Sequence, residues 1–200
     1  MEELRTARRF LKKAGYPHAI DDTEFHLLNE HTTHGEIGGY LDAIDRGENV
    51  GLLSEAGLPC VADPGAMIVR VAQRRGIEVV PLVGPSSLML ALMASGLNGQ
   101  SFAFNGYLPV ERNQRAGAIR RLEERAHREH QTQIFIEAPY RNNQLLEALC
   151  TVLQPTTSIC VACDLTLPTQ QIRTLTAKQW QKERPRVNLH KRNTVFLIGE

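Results

Sequence analysis

Apolar residues in this chain fall into short runs that switch between helical and strand spacing. Leu4, Ala7, Phe10 and Leu11 share one helical face, so a helix is expected over Thr6–Ala14, stopped by Gly15. Glu24 to Leu28 alternates like a short strand, and Gly35 to Arg46 reads as a second helix ended by Gly47. The run Val50-Gly-Leu-Leu53 predicts a buried strand over Val50–Ser54, followed by a loop rich in glycine and proline, Glu55 to Gly65. A helix over Ala66–Arg75 follows, with Gly76 placed for a left-handed cap. Ile77–Leu82 predicts another strand, then the loop Gly84-Pro-Ser-Ser87 and an apolar helix over Ser87–Ala94. The order strand, loop, helix repeats, so parallel pairing is expected.

After Gly96-Leu-Asn-Gly-Gln100 the character changes. Strands are expected over Ser101–Tyr107, Thr132–Glu137, Thr157–Asp164, Gln170–Leu175 and Thr194–Ile198, with the third and fourth adjacent. Helices are expected over Val110–Glu129, which is strongly charged, and Asn142–Leu153. The pattern predicts an α/β fold of two small α/β domains, residues 1–99 and 100–200, meeting near Asn98–Gln100. The first of them opens unusually, on a helix instead of a buried strand.

Composition narrows the class. Apolar residues make up 42% of the 200, ample for a packed core, and 23 basic against 22 acidic residues leave a net charge of +1. That balance argues against a polyanion-coating protein but not against a local basic patch. No apolar run approaches the roughly 20 residues of a membrane span. The N-terminus Met1-Glu-Glu-Leu-Arg5 lacks an apolar signal core, so a soluble, cytoplasmic protein is expected. Four cysteines are too sparse for a disulfide scaffold. Cys160-Val-Ala-Cys163 has metal-like spacing, but strand alternation sends its two side chains to opposite faces. His26, His31 and His34 lack regular ligand spacing, so no metal site is expected.

Both glycine-rich loops sit at strand ends, where ligands bind in open α/β sheets. Neither carries a P-loop or a dinucleotide fingerprint. Glu55 and Ser54 offer acceptors and Gly57 lets a ligand approach the backbone; the same residues also suit a purely structural turn. Ser86 and Ser87 start a helix, where they can cap it or face a polar ligand. Glu137-Ala-Pro-Tyr-Arg141 groups a carboxylate, a ring and a guanidinium, able to orient a planar or anionic substrate or to form a salt-bridged surface loop. On the helix over Val110–Glu129, arginines alternate with Glu111, Glu123, Glu124 and Glu129, so ion pairing is expected. Lys178, Lys182, Arg184, Arg186, Lys191 and Arg192 are less compensated and better suited to a polyanion.

Taken in order, the motifs are S-E-A-G-L-P-x-x-A-D-P-G, V-x-P-L-V-G-P-S-S with A-L-x-A-S-G-L, F-x-G-Y-L-P, F-I-E-A-P-Y-R and A-C-D-L-T. This series resembles the tetrapyrrole methylase superfamily across essentially the whole chain. Within it the series is most similar to the ribosomal RNA small-subunit methyltransferase I group, which methylates a cytidine ribose 2′-hydroxyl. The resemblance implies a class III methyltransferase-like fold, S-adenosyl-L-methionine in a cleft between two domains, a homodimer, and ribosomal RNA as substrate. It also implies a first strand that should precede Glu2 and is missing here, leaving a sheet edge to be covered. Glu55 stands where the group usually has Asp, Val83 where it has Pro, and Leu167 where it has Lys.

By the same resemblance, Glu55, Ala56, Gly57, Pro59, Ser86 and Ser87 line the cofactor site from the first domain, and Ala138, Leu165 and Thr194 approach it from the second. A hydroxyl nucleophile needs proton removal; Glu137 and Glu3 are the candidate bases. Arg5, Tyr140 and Arg141 are candidate substrate contacts, arginine for phosphate and tyrosine for stacking on a splayed base. Methyl transfer to a tetrapyrrole or other small molecule, and a non-catalytic binding role, are the alternatives.

Overall fold

The computed structural model describes residues 1–29 and 32–200, with the backbone alone at position 34. His31 and the side chain of His34 therefore lie outside the described residues. The chain divides into two compact units, Met1–Pro85 and Ser86–Glu200. The boundary expected near Asn98–Gln100 lies inside the second unit.

Among the described residues the first unit holds four α-helices, α1 (Leu4–Lys13), α2 (His34–Gly39), α3 (Asp42–Asp45) and α4 (Ala66–Arg74), and a 3-10 turn at Ile20–Asp22. The single helix expected over Gly35–Arg46 is broken in two just after Gly38-Gly39, as the poor helix propensity of glycine favours. Ile68 and Ala72 of α4 pack with Leu28, Ile37 and Leu41 into a small core. The strands expected over Glu24–Leu28, Val50–Ser54 and Ile77–Leu82 do not form; among the described residues this unit has no strand. Among the described residues, no backbone–backbone hydrogen bond is made by residues 49–57 or 78–85. The apolar side chains of the second stretch stand in solvent, Val80 at 66%, Leu82 at 84% and Val83 at 107% exposure. The apolar pattern of a strand is present, but a strand exists only through its partners.

The second unit is built on a five-stranded mixed sheet. Its elements are α5 (Ser87–Ser95), β1 (Phe102–Tyr107), α6 (Arg112–Arg128), β2 (Thr132–Ile136), α7 (Asn142–Val152), β3 (Ser158–Cys163), β4 (Gln171–Thr176), α8 (Ala177–Glu183) and β5 (Thr194–Gly199). Strand order is β1-β2-β5-β3-β4. β1 and β2 are parallel; β5 pairs antiparallel with both β2 and β3, and β3 with β4. Central β5 is buried throughout. Its Phe196 and Ile198 enter a large core with α6, α7 and α8, whereas Val195 and Leu197 meet α5 on the other face. Cys160 and Cys163 fall in opposite cores, as strand alternation requires. Helix α8 was not expected. Thr176 opens it with a capping box, and Trp180 is buried with its Nε1 donating to the Ile159 carbonyl at 2.8 Å.

Candidate functional site

Topology gathers the chemistry of the second unit at one end of its sheet. β1 and β2 both finish there, with Tyr107 opposite Ile136. β3 ends there at Cys163 and β5 begins there at Thr194, its register partner. The short link from β1 puts the start of α6 at the same end. α5 runs toward the opposite end, where Leu97 approaches Gly199, so Ser86 and Ser87 at its start lie on the Thr194 side. The sequence-expected residues Glu137, Ala138, Tyr140, Arg141, Leu165 and Thr194 are thus brought to one edge.

Glu137 immediately follows β2, and its side chain is fully buried. Oε1 accepts from the Ala138 amide at 2.7 Å and from Arg141 Nε at 3.0 Å and Nη2 at 2.6 Å. Oε2 has no partner. The Glu137 hydrogen bond is the main cause holding the Arg141 pKa above its ordinary value. Arg141 also lies over the Tyr140 ring, 5.2 Å from its centroid. Its guanidinium is therefore engaged by Glu137, as the salt-bridged alternative for this loop expected.

A second clamp closes the turn after β3. Asp164 (φ 50°) and Thr166 (φ 67°) occupy the left-handed region without being glycine. Asp164 Oδ2 accepts from Arg192 Nε at 2.8 Å and Thr169 Oγ1 at 2.9 Å, and Arg192 Nη2 donates to the Thr169 carbonyl at 2.6 Å. Burial alone would raise the Asp164 pKa; the hydrogen bonds from Arg192 and Thr169 outweigh it and hold the carboxyl below the usual aspartate value. Strained turns cluster at functional sites, which makes this one a candidate. Leu165 within it packs on the α5 side of the sheet. Thr194 is buried, and its hydroxyl donates to the Arg192 carbonyl at 3.2 Å. Ser86 stands at the N-cap of α5, yet its side chain makes no cap hydrogen bond, so capping does not account for it.

In the first unit, Asp63 winds the loop before α4. Its Oδ1 accepts from the Cys60 amide at 2.9 Å and the Gly65 amide at 2.6 Å, and Cys60 (φ 69°) and Ala62 (φ 56°) are both left-handed. A cavity of about 510 Å³ is lined by Glu2, Asn29, Ala62, Asp63 and Pro64. The Glu55 amide donates to Glu2 Oε1 at 3.1 Å, bringing the start of the chain to this loop. Glu55, Ala56 and Gly57 are exposed and Pro59 is partly buried. Gly57 (φ 75°) has open space where a Cβ would stand. Glu3 caps α1: its carboxylate accepts from the Arg5 amide at 2.8 Å and the Thr6 amide at 2.6 Å. The Thr6 hydroxyl and these amides hold its pKa below the usual glutamate value. Arg5 is exposed on α1.

The sequence matches the tetrapyrrole (corrin/porphyrin) methylases over residues 3–181. The chain belongs to this family. Among curated relatives, it is 39% identical over 134 residues to ribosomal RNA small subunit methyltransferase I of Pseudomonas aeruginosa, covering 67% of this chain and 45% of that protein. It is 34% identical over 199 residues to the protein of the same name from Mesorhizobium japonicum, covering 99% of this chain and 64% of that one. The chain thus spans about half to two thirds of the length of these relatives. Among solved structures, the methyltransferase CobJ superposes with a TM-score of 0.58 at 20% identity, covering 88% of this chain and 74% of that one. Uroporphyrin-III C-methyltransferase from Thermus thermophilus, complexed with S-adenosylhomocysteine, gives a TM-score of 0.51 at 17% identity, covering 83% and 73%. These likenesses establish that the chain shares the tetrapyrrole methylase fold.

In this family member the balance of surface charge reverses the sequence expectation. On α6, Glu111 is spent as the N-cap, accepting from the Asn113 and Gln114 amides. Glu123 is buried and accepts from the Gln154 amide and the Thr157 hydroxyl. Among the described residues, Arg112, Arg115, Arg120, Arg121 and Arg125 consequently form no ion pair, and of the arginines on this helix only Arg128 is paired, with Glu124 and Glu129. The stretch expected to be uncompensated is instead partly paired: Arg184 with Glu147, Arg186 with Glu183, and Arg192 with Asp164. The inward turn of Glu123 follows the helical face of Ile119 and Leu122 and was readable from spacing. The Asp164–Arg192 clamp, between residues 28 apart in the chain, was not. No group of three His, Cys, Asp or Glu side chains among the described residues could hold a metal ion.

Proposed function

We propose that this chain is an S-adenosyl-L-methionine-dependent methyltransferase acting on ribosomal RNA, methylating a ribose 2′-hydroxyl. The observation that carries the proposal is the identity to curated ribosomal RNA small subunit methyltransferases I, at 34% over almost the whole chain in one case. The uncompensated arginines of α6 support a polyanionic substrate. We further propose a homodimer, working in the cytoplasm where ribosomal RNA is found.

The residues present suit such a methyl donor in kind. In the second unit Glu137 keeps a buried acceptor oxygen without a partner among the described residues and the Ser86 side chain makes no cap hydrogen bond; in the first unit, taken by itself, a Cβ at Gly57 would meet open space. The residues assigned to hold the donor are Glu55, Ala56, Gly57, Pro59, Ser86, Ser87, Ala138, Leu165 and Thr194. When bound, the donor supplies a methyl group already activated by its sulfonium, so the protein's main contribution is alignment. Glu137 Oε2 is buried and has no hydrogen-bond partner among the described residues, and we assign it the acceptor role toward the substrate hydroxyl. Glu3 is engaged by its helix cap, leaving Glu137 as the preferred base. Tyr140, 60% exposed, offers a ring for stacking; Arg5 supplies positive charge, while Arg141, paired with Glu137, lies over the Tyr140 ring.

The test presents the protein with labelled methyl donor, small ribosomal subunits lacking the modification, and a tetrapyrrole. Label is expected in the RNA, at a ribose. Label confined to the tetrapyrrole overturns the proposal.

A further inference from the structure

We propose that Arg115 anchors a backbone phosphate of the RNA substrate. This rests on the RNA reading above and adds to it a specific binding residue.

Arg115 is one turn into α6, on the inward face it shares with Ala118, Ile119 and Leu122. It is only 8% exposed, and its Nε is buried without a hydrogen-bond partner. No ion pair reaches it among the described residues. An unpaired buried charge is costly, so such a group is retained where something else supplies its counter-charge. The carboxylates at this end of the sheet are already committed. Glu111, one turn earlier, attracts Arg115 only at a distance, because its oxygens are held by the Asn113 and Gln114 amides. Glu137 Oε1 is taken by Arg141, and its other oxygen is not within ion-pair reach of Arg115. Asp164 is taken by Arg192. Arg115 is what remains when these pairs are made.

Its surroundings select a nucleic acid over a lone carboxylate. Arg112 at the start of α6 is exposed and unpaired, as is Lys191, whose amide donates to the Pro139 carbonyl beside the Glu137 loop. Tyr107, 59% exposed, ends β1, and Tyr140, 60% exposed, lies in the short turn after β2; both offer ring faces to unstacked bases. A guanidinium with open donors fits a phosphate oxygen fork. This end of the sheet thus carries positive charge together with two exposed aromatic rings, the combination that binds a single strand.

The experiment compares wild type, Arg115→Met and Arg115→Lys. It measures binding of a short fluorescent single-stranded oligoribonucleotide by anisotropy across a salt series, and binding of S-adenosylhomocysteine by calorimetry. Arg115→Met is expected to bind the oligonucleotide about tenfold more weakly and to lower the salt slope by about 0.7, the share of one phosphate contact. Arg115→Lys should restore the slope but not the full affinity. S-adenosylhomocysteine affinity should stay unchanged, and the unfolding midpoint should rise, since a buried charge is removed with no internal partner lost. In wild type, the Arg115 Nε–H resonance should shift with oligonucleotide and not with S-adenosylhomocysteine. That readout holds even if the methionine variant folds poorly. Unchanged RNA affinity and slope in Arg115→Met overturn the inference while leaving the RNA reading intact. Parallel loss of S-adenosylhomocysteine binding also overturns it, assigning Arg115 to the donor. Wild type that binds no RNA at any salt sinks both.

Discussion

Replacing Arg141 with alanine asks whether its guanidinium belongs to the fold or to the substrate. The truncation removes two of the three donors on Glu137 Oε1 and leaves the Ala138 amide. It strands a carboxylate whose side chain is fully buried. Removing one partner of a buried pair costs about 3–5 kcal/mol. The Arg141 side chain is 20% exposed and one donor survives, so the expected loss is smaller, roughly 2–3 kcal/mol. Glu137→Gln keeps the shape and one acceptor but loses the charge, at about 1–2 kcal/mol. The double variant has no charge left to strand and should cost about 2 kcal/mol, well below the sum, which implies a coupling of roughly 1–3 kcal/mol.

Urea unfolding followed through Trp180 measures this directly. It is the only tryptophan, it is buried, and it lies in the second unit. Arg141→Ala should lower the urea midpoint by about 1–2 M, at typical slopes of about 1–3 kcal/mol/M. Effects of the two single substitutions that add to within about 0.5 kcal/mol would refute a shared ion pair. The outcome also governs how RNA binding by Arg141→Ala is interpreted: any lost affinity must first be corrected for the fraction folded.

The Asp164 carboxyl is held below its unfolded-state pKa, so its stabilising contribution is full above about pH 4 and fades as pH falls through the folded value. Asp164→Asn should therefore flatten the acid limb of a stability–pH profile read at Trp180; an unchanged limb refutes the clamp. Gly65→Ala should destabilise the first unit by about 1–3 kcal/mol, because the new Cβ would meet Asp63 Oδ1 at 2.6 Å and Leu52 Cδ2 at 2.9 Å. Gly57→Ala meets open space and should cost only about 1 kcal/mol for its left-handed backbone, with circular dichroism on heating separating the two. Burial pushes the Cys150 thiol up to about 11, and also raises buried Cys160 and Cys163. A thiol reagent at neutral pH should label partly buried Cys60 first by mass spectrometry, and early labelling of Cys150 would contradict the packing.

The second unit was legible because all of its elements but α8 carry their own signal. The helices at α6 and α7 and the strands from β1 to β5 follow from period and turn residues, with ends within two residues of those expected. β5 reads as a continuous apolar run because both faces are covered. The first unit was less legible for a physical reason. Val50–Ser54 and Ile77–Leu82 have strand composition, but period reports which side chains prefer burial and not whether a partner backbone is present. α8 was hidden because its basic side chains drew the reading toward surface charge, while Ala177 and Trp180 on its inner face supply the packing.

Charge shows the same division between local and long-range information. The interleaved Glu and Arg of α6 look self-neutralising along the sequence. Folding removes that balance, since Glu111 goes to a helix cap and Glu123 turns inward to Thr157 and Gln154. The exposed face is left with Arg112, Arg120, Arg121 and Arg125. A net charge of +1 for the whole chain thus coexists with a helix whose arginines are mostly unpaired. What a polyanion meets is set by which carboxylates the fold consumes. The start of that helix lies at the same end of the sheet as the Glu137–Arg141 loop, so the same fold that pairs Arg141 and Arg192 leaves Arg115 Nε without a partner among the described residues at the end where methyl transfer is proposed.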